Sequence, residues 1–323
     1  MPAPKRLRPF KTSLDKQPKA RHQDAMSLPS YRPLAAALWM TGSIASFSAM
    51  AVAARQIKGL HDTFEIMAAR SFIGFFIVIG VSLVLGNLGE VRSNRLGQHG
   101  MRNIVHFTGQ NLWFWALTMI PLAQVFALEF TAPIWVIILS PLLLGERITA
   151  PRALAAGLGF AGILIVANPD ISALNLGVLA AAGSAVCFAL TNIATKALTR
   201  DEGIVSILFW LTIMQFVMGA GLAAADGHIR WPDATTAPWL VLIGGAGVLA
   251  HLCLTSALRL APASFVMPID FVRLPLIALI GASFYDEPLE AAILAGAGLI
   301  VLGNWINIRA ETRRQAQMSQ VNT

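Results

Sequence analysis

Four ionisable side chains, Arg70, Glu129, Asp270 and Arg273, interrupt stretches of sequence that are otherwise apolar. A charge at mid-depth in hydrocarbon costs at least ~2.5–3.5 kcal/mol on insertion scales. Such groups therefore pair with one another or line polar space, and they mark routes for polar cargo or protons. Counting from one end of their segments, Arg70 and Glu129 each stand about six residues in, or roughly 9 Å deep at helical rise. Opposite charges at one depth suit an ion pair, or the two ends of a zwitterion. Asp270 and Arg273 are three residues apart, on one helix face, and form a second candidate pair. Gln110 and His251 are further polar groups in apolar surroundings, with His106, Asn111, Thr191 and Asn192. Each serves equally for a hydrogen bond between helices or for a polar cavity wall. Aromatic residues that could stack on a ring are Trp113, Trp115, Trp135 and Trp210. Phe130 and Phe271 each stand directly beside one of the acids.

The elements that must hold these groups are membrane helices. Hydrophobic residues make up 56% of the 323-residue chain and charged residues 13%, against about 25% charged in a soluble domain. Mean hydropathy is +0.64. Ten apolar runs are long enough to cross a ~30 Å hydrocarbon core. They are Leu34–Ala54, Phe64–Leu85, Ile104–Met119, Ala123–Leu144, Leu154–Ala167, Leu176–Ala197, Ile204–Ala225, Trp239–Leu258, Ser264–Phe284 and Ala291–Ile308. Turn-forming clusters such as Asn168-Pro169-Asp170 and Asp286-Glu287-Pro288 separate runs. An even number of spans with a cytoplasmic N-terminus places nineteen basic residues in the cytoplasm and three (Arg55, Lys58, Arg230) outside. That asymmetry is the one expected of inserted proteins, and it puts both termini in the cytoplasm.

The second half repeats the first at an offset of 141 residues. Glu146 aligns with Glu287, Gly157 with Gly298, Gly162 with Gly303, Glu129 with Asp270, Phe130 with Phe271, Gln110 with His251 and Arg55 with Lys196. Five spans per copy is an odd number, so the copies must insert with opposite orientation. The expected fold is thus an all-α integral membrane protein of ten transmembrane helices arranged as two inverted five-helix repeats. Residues 1–33 form a disordered basic cytoplasmic arm, 34–168 the first repeat, 176–308 the second, and 309–323 a cytoplasmic tail. The departures from symmetry are Asp286, where the first copy has Gly145, and Leu211, which occupies the position equivalent to Arg70.

These features resemble the drug/metabolite transporter superfamily, in particular its EamA-type members. The resemblance rests on Leu144-Gly145-Glu146-Arg147-Ile148-Thr149, then Gly157-Leu158-Gly159-Phe160-Ala161-Gly162-Ile163. In the second copy it rests on Tyr285-Asp286-Glu287-Pro288-Leu289, then Gly296-Ala297-Gly298 and Gly303, with Arg70 and Pro133 as further points. It covers residues 34–308. It implies a secondary transporter of the bacterial inner membrane that moves a small organic metabolite by alternating access between its repeats. Members carry amino acids, riboflavin, S-adenosylmethionine, sugar derivatives or drugs, and Pro262–Glu290 is most similar to the S-adenosylmethionine importers. One arginine with nearby carboxylates favours an amino acid or a similar compound. The expected substrate contacts are Arg70, Glu129, Asp270, Arg273, Gln110, His251, Phe130, Phe271 and Trp113. Either acid is also a candidate proton carrier.

The remaining features read as structural. Glu146 and Glu287 sit where a carboxylate caps free N–H groups, Glu65 is a solvated helix-start acid, and Pro288 opens the last helix. The spacings Gly157 to Ala161 and Gly298 to Leu302 suggest close helix packing. Pro133 and Pro275 interrupt their helices. Cys187 and Cys253 are small core residues, so no disulfide and no metal site is expected. The absence of a Walker-type glycine loop argues against ATP drive, and no cofactor is implied. An intramembrane lipid-modifying enzyme is disfavoured because His106 and His251 stand apart from any nucleophile or HExxH spacing. The partners expected are the small-molecule substrate and the bilayer. Protons and a second copy of the chain are further candidate partners, and the charge of +7 is explained by orientation without nucleic acid.

Overall fold

The computed structural model describes residues 31–57, 59–91, 94–120, 122–167, 175–225, 229–285 and 291–321. The expectations for residues 1–30, for Glu287 and for Pro288 fall outside these. The described residues are helical with short connections and no strand: α1 (Pro33–Gln56), α2 (Thr63–Val84), α3 (Leu96–Met119), α4 (Leu122–Glu129), α5 (Ala132–Leu144), α6 (Ala150–Ala167), α7 (Leu176–Leu198), α8 (Ile204–Ala223), α9 (Ala237–Leu260), α10 (Ala263–Val266), α11 (Arg273–Tyr285) and α12 (Ala291–Val321). Eight segments are long and apolar enough to cross a membrane, counting α4 with α5 and α10 with α11 as one each, and a shorter apolar helix spans Ala150–Ile165. The protein is an all-α, multi-pass membrane protein.

Helix ends follow local chemistry. Asp62 and Glu65 form a reciprocal capping box at the start of α2, which satisfies two N–H groups that lack intrahelical partners. Glu65 also accepts from His61 Nδ1 at 3.1 Å and from the Arg230 N–H at 2.5 Å. It is therefore a tied joint rather than a solvated acid. Gly145 ends α5 at φ 68°, a conformation that glycine adopts without the Cβ penalty.

Two apolar runs are broken, and both breaks are placed by proline. Pro133 has no N–H to donate to the Glu129 carbonyl, so the fourth run splits into α4, ending at Glu129, and α5, starting at Ala132. In the second half Pro268 opens a 3-10 stretch, Met267–Val272, that contains Asp270, and Pro275 follows three residues after its end. The sequence reading anticipated Pro133 and Pro275 but not Pro268.

Packing follows the offset. α1 lies along α9 and α7 along α3, while α2 packs on α8 and α6 on α12. A shift of 141 residues converts α1 to α7 and α3 to α9, and converts α2 to α8 and α6 to α12. The pairs therefore exchange or map onto themselves, as a two-fold relation requires. The cysteines act as small packing residues: a Cβ on Gly42 would meet Cys253 Sγ at 2.8 Å, and one on Gly109 would meet Cys187 Cβ at 2.8 Å. The helix–helix glycines are not the expected ones. Gly157 and Gly298 face open space, whereas Gly162 lies against the Gly296 carbonyl and Gly303 against the Ala155 carbonyl. Phase decides this. Gly157 and Gly298 occupy the outer face of their helices, five residues before the contacting pair.

Two further segments extend beyond their expected limits. α3 begins at Leu96 because its polar first turns are satisfied within the bundle: Arg102 donates to Thr195 at 3.0 Å, and Asn103 to the carbonyls of His99 and Trp210. α12 continues to Val321, so residues 309–321 of the expected tail are helical. Its Ala, Glu, Arg and Gln residues favour helix, and Glu311 anchors it to Arg152 at 2.7 Å.

The steric difference between the two glycine phases is directly testable. Gly162→Ala places its Cβ 2.5 Å from a backbone oxygen and should cost about 1–3 kcal/mol. Gly157→Ala should be neutral, or stabilise by up to about 1 kcal/mol. Thermal unfolding in one detergent separates the two, and equal melting temperatures would contradict the packing.

Candidate functional site

The site is built where the two broken runs meet. Arg273, the first residue of α11, donates to Glu129 Oε1 at 2.9 Å and to Asp270 Oδ2 at 3.0 Å. Its guanidinium carbon stands 4.9 Å from the Phe130 ring centre and 5.5 Å from that of Phe47, within the range in which a ring face attracts a cation. Glu129 Oε2 accepts from Trp113 Nε1 at 2.7 Å. One cation therefore bridges two acids from different halves, in an environment where an unpaired charge is expensive.

This differs from the pairing expected by depth. Arg70 does not join Glu129; among the described residues no hydrogen bond or ion pair holds its side chain. Depth along a segment fixes a level but not which cation of the other half reaches it. The breaks bring Glu129 and Asp270 to one level, where Arg273 reaches both. Arg70 extends across Gly247 of α9, whose missing side chain leaves room for it: a Cβ there would lie 3.6 Å from Arg70 Nε.

Beside the bridge lies a cavity of about 190 Å³. Its walls include seven of the nine expected contacts in addition to Glu129: Arg70, Asp270, Arg273, Gln110, His251, Phe130 and Trp113. Thr191, Asn192 and His106 line it too. His106 and His251 meet edge to face at 5.2 Å, and the Gln110 carbonyl oxygen is buried with no partner among the described residues. Phe271 is the exception. It is fully buried and fills the notch at Gly159 of α6, because successive residues of a 3-10 stretch point about 120° apart and Asp270 takes the cavity side. Trp115 and Trp135 are exposed on the bundle exterior, and Trp210 packs against His99. Residues not anticipated as lining are Phe47, Phe126, Phe188, Met50, Met67 and Met267. Nothing in their spacing distinguishes them from ordinary core positions.

The cavity is asymmetric along the helix axes. One end of the bundle, the terminal face, carries the start of α1 and the end of α12. There Glu146 accepts from the Ala263 and Ser264 N–H groups at 2.9 and 3.1 Å, performing the capping expected of it. Lys196 donates to the Leu258 and Ala261 carbonyls, Arg200 to the Leu144 carbonyl at 2.7 Å, and the Arg32 N–H to the Leu260 carbonyl at 3.1 Å. The largest apolar cluster, with Met40, Val136, Ala189, Ile193 and Phe265 at its centre, fills the space above these bonds. The cavity lining instead runs from mid-bundle towards the α1–α2 connection, through Met50 and Ala54 of α1, Ile66 of α2, Phe114 of α3 and Ile243 of α9.

A polar and aromatic cavity at a helix break, between the related halves of a membrane bundle, is the arrangement of a membrane carrier. The EamA-like transporter family matches the chain twice, over residues 34–168 and 175–309. The chain belongs to that family and is a small-metabolite transporter. A riboflavin transporter of Rhizobium johnstonii is 29% identical across 92% of this chain and 98% of its own length. A riboflavin transporter of Vibrio cholerae serotype O1 is 30% identical across 88% and 96%. An S-adenosylmethionine uptake transporter of Rickettsia conorii is 25% identical across 81% and 88%. A solved crystal structure covering 86% of this chain and 98% of its own overlays with a TM-score of 0.74 at 20% identity, showing the same fold.

The asymmetry predicts one-sided access. With Cys187 and Cys253 replaced by alanine, Asn192→Cys should react with a membrane-impermeant thiol reagent added on the side of the α1–α2 connection. Ile193→Cys, in the packed cluster, should stay unlabelled. Labelling of both, or of neither, would contradict the cavity described here.

Proposed function

We propose that this protein is a secondary carrier for a neutral, ring-bearing metabolite of the riboflavin type, working by alternating access between two inverted five-helix repeats. In this reading ten segments span the bacterial inner membrane with both termini in the cytoplasm, and the cavity faces outward. The observation that carries the cargo assignment is the charge state of the cavity. Both acids already share Arg273, and of their four carboxylate oxygens only Asp270 Oδ1 lacks a hydrogen bond among the described residues. Arg70 offers donors without a protein partner, suited to ring carbonyls or sugar hydroxyls. Two carboxylates and two guanidiniums balance formally, which favours an uncharged cargo over a cation. The walls contributed by Phe47, Trp113, Phe114, Phe126, Phe130 and Phe188 suit a planar ring. The relatives named as riboflavin transporters, aligned over nearly the whole chain, support the same class.

Arg70 also favours a second reading, an amino acid or a similar compound whose carboxylate pairs with the free guanidinium. In either case Arg70, Gln110, His251, Trp113 and Phe130 are the contacts, while Glu129, Asp270 and Arg273 position the two broken segments. Fluorescence titration of the purified protein distinguishes the two readings. Riboflavin emission should be quenched saturably by wild type, and Arg70→Ala should weaken binding about tenfold or more, the worth of a hydrogen bond to a charged group. An unquenched flavin, with thermal stabilisation by a zwitterionic amino acid instead, would replace the first reading by the second.

A further inference from the structure

A second concave site lies on the bundle exterior at the terminal face, far from the cargo cavity. It is a groove of about 320 Å³ lined by Leu34, Trp305, Ile308, Arg309, Thr312 and Arg313. The five α12 residues follow at spacings of three, one, three and one, a single helix stripe, and Leu34 belongs to the first turn of α1. The floor is apolar and open: Leu34 and Trp305 are each about half exposed. The rim is cationic. The Arg309 guanidinium carbon is held 4.8 Å over the Trp305 ring centre, and Arg313 follows one turn later. The only acid in this stretch, Glu311, is turned to the opposite face, where it is 2% exposed and bonded to Arg152 and Tyr31. Those bonds fix the ends of α1 and α12 against each other and leave the outer face with positive charge alone.

We infer that this groove is a binding site for an anionic phospholipid, which seats its headgroup phosphate between Arg309 and Arg313 and lays its acyl chains over Trp305, Ile308 and Leu34. The argument is one of complementarity. The groove sits where an apolar helix surface passes into a basic one, the level at which headgroups lie. Tryptophan is favoured at that level, and paired guanidiniums recognise a phosphate's oxygens. Basic pockets at helix ends facing a charged leaflet bind such lipids in the same way. A soluble anion would use the arginines but leave the apolar floor wet. The full family of contacts is independent of the cargo and of the proposed cargo class.

The test uses the full chain in a neutral detergent, with phosphatidylglycerol, phosphatidylcholine or inorganic phosphate added separately. Phosphatidylglycerol should raise the melting temperature of wild type and of Arg259→Gln, which removes an exposed charge elsewhere. Arg309→Gln/Arg313→Gln should melt like wild type without lipid yet bind phosphatidylglycerol roughly 30-fold more weakly, the loss expected for two basic contacts. Arg309→Lys/Arg313→Lys, which keeps the charge, should retain most of the shift and guards against a folding defect in the neutral variant. An equal shift from phosphatidylcholine would show a detergent-like effect, and an equal shift from phosphate a free-anion site. Either result, or a full phosphatidylglycerol shift in the double glutamine variant, would overturn the assignment. An equal loss in Arg259→Gln would also overturn it, by showing that net charge alone is responsible.

Discussion

One guanidinium joins the two halves of this molecule. Arg273 is the sole cation in contact with Glu129 and Asp270 among the described residues, and the three side chains come from segments that proline has broken at equivalent places. A carboxylate in hydrocarbon is tolerated only with a partner. The breaks, the positions of Phe130 and Phe47 around the cation, and the cavity beside it therefore depend on this bridge. Because it ties both acids to one cation, the charged lining group outside the bridge is Arg70, beside neutral polar side chains and aromatic rings. Cargo chemistry follows from what the bridge leaves free.

The same two-fold packing gives the carrier a sealed end and an open end. On the terminal face, helix-end carbonyls are paired by Lys196 and Arg200, and Glu146 caps the start of α10, in each case across different elements. These bonds are local and polar, and they rim the apolar cluster that fills this end. At the other end Glu65, His61 and Thr236 tie the α1–α2 connection to the start of α9, leaving the centre lined by cavity residues.

Much of this organisation was legible in the sequence because it follows from spacing. The offset of 141 residues, fixed by pairs such as Glu146 with Glu287 and Gly162 with Gly303, maps α3 onto α9 residue for residue. It also places Glu129 and Asp270 at equivalent points. What was not legible is whatever depends on helix phase or continuity. The partner of Glu129 was misjudged because depth along a segment does not say which side chain of the other half reaches the same level, and the start of α3 because Arg102 and Asn103 look like loop residues until their acceptors on α7 and α8 are known. Phe271 mirrors Phe130 in sequence yet packs away from the cavity, since the 3-10 stretch on one side has no equivalent on the other. The Met and Phe residues that complete the wall carry no signal that separates them from core.

The role of the bridge is tested most directly by a stability cycle at its three members. Arg273→Gln alone strands two carboxylates and should destabilise by about 3–5 kcal/mol, the usual penalty for breaking a buried pair on one side. Adding Glu129→Gln and Asp270→Asn to it removes the stranded charges and should recover most of the loss in melting temperature. If Arg273→Gln melts like wild type, or if the triple variant is no more stable than the single one, the bridge is not the interaction that holds the two halves together.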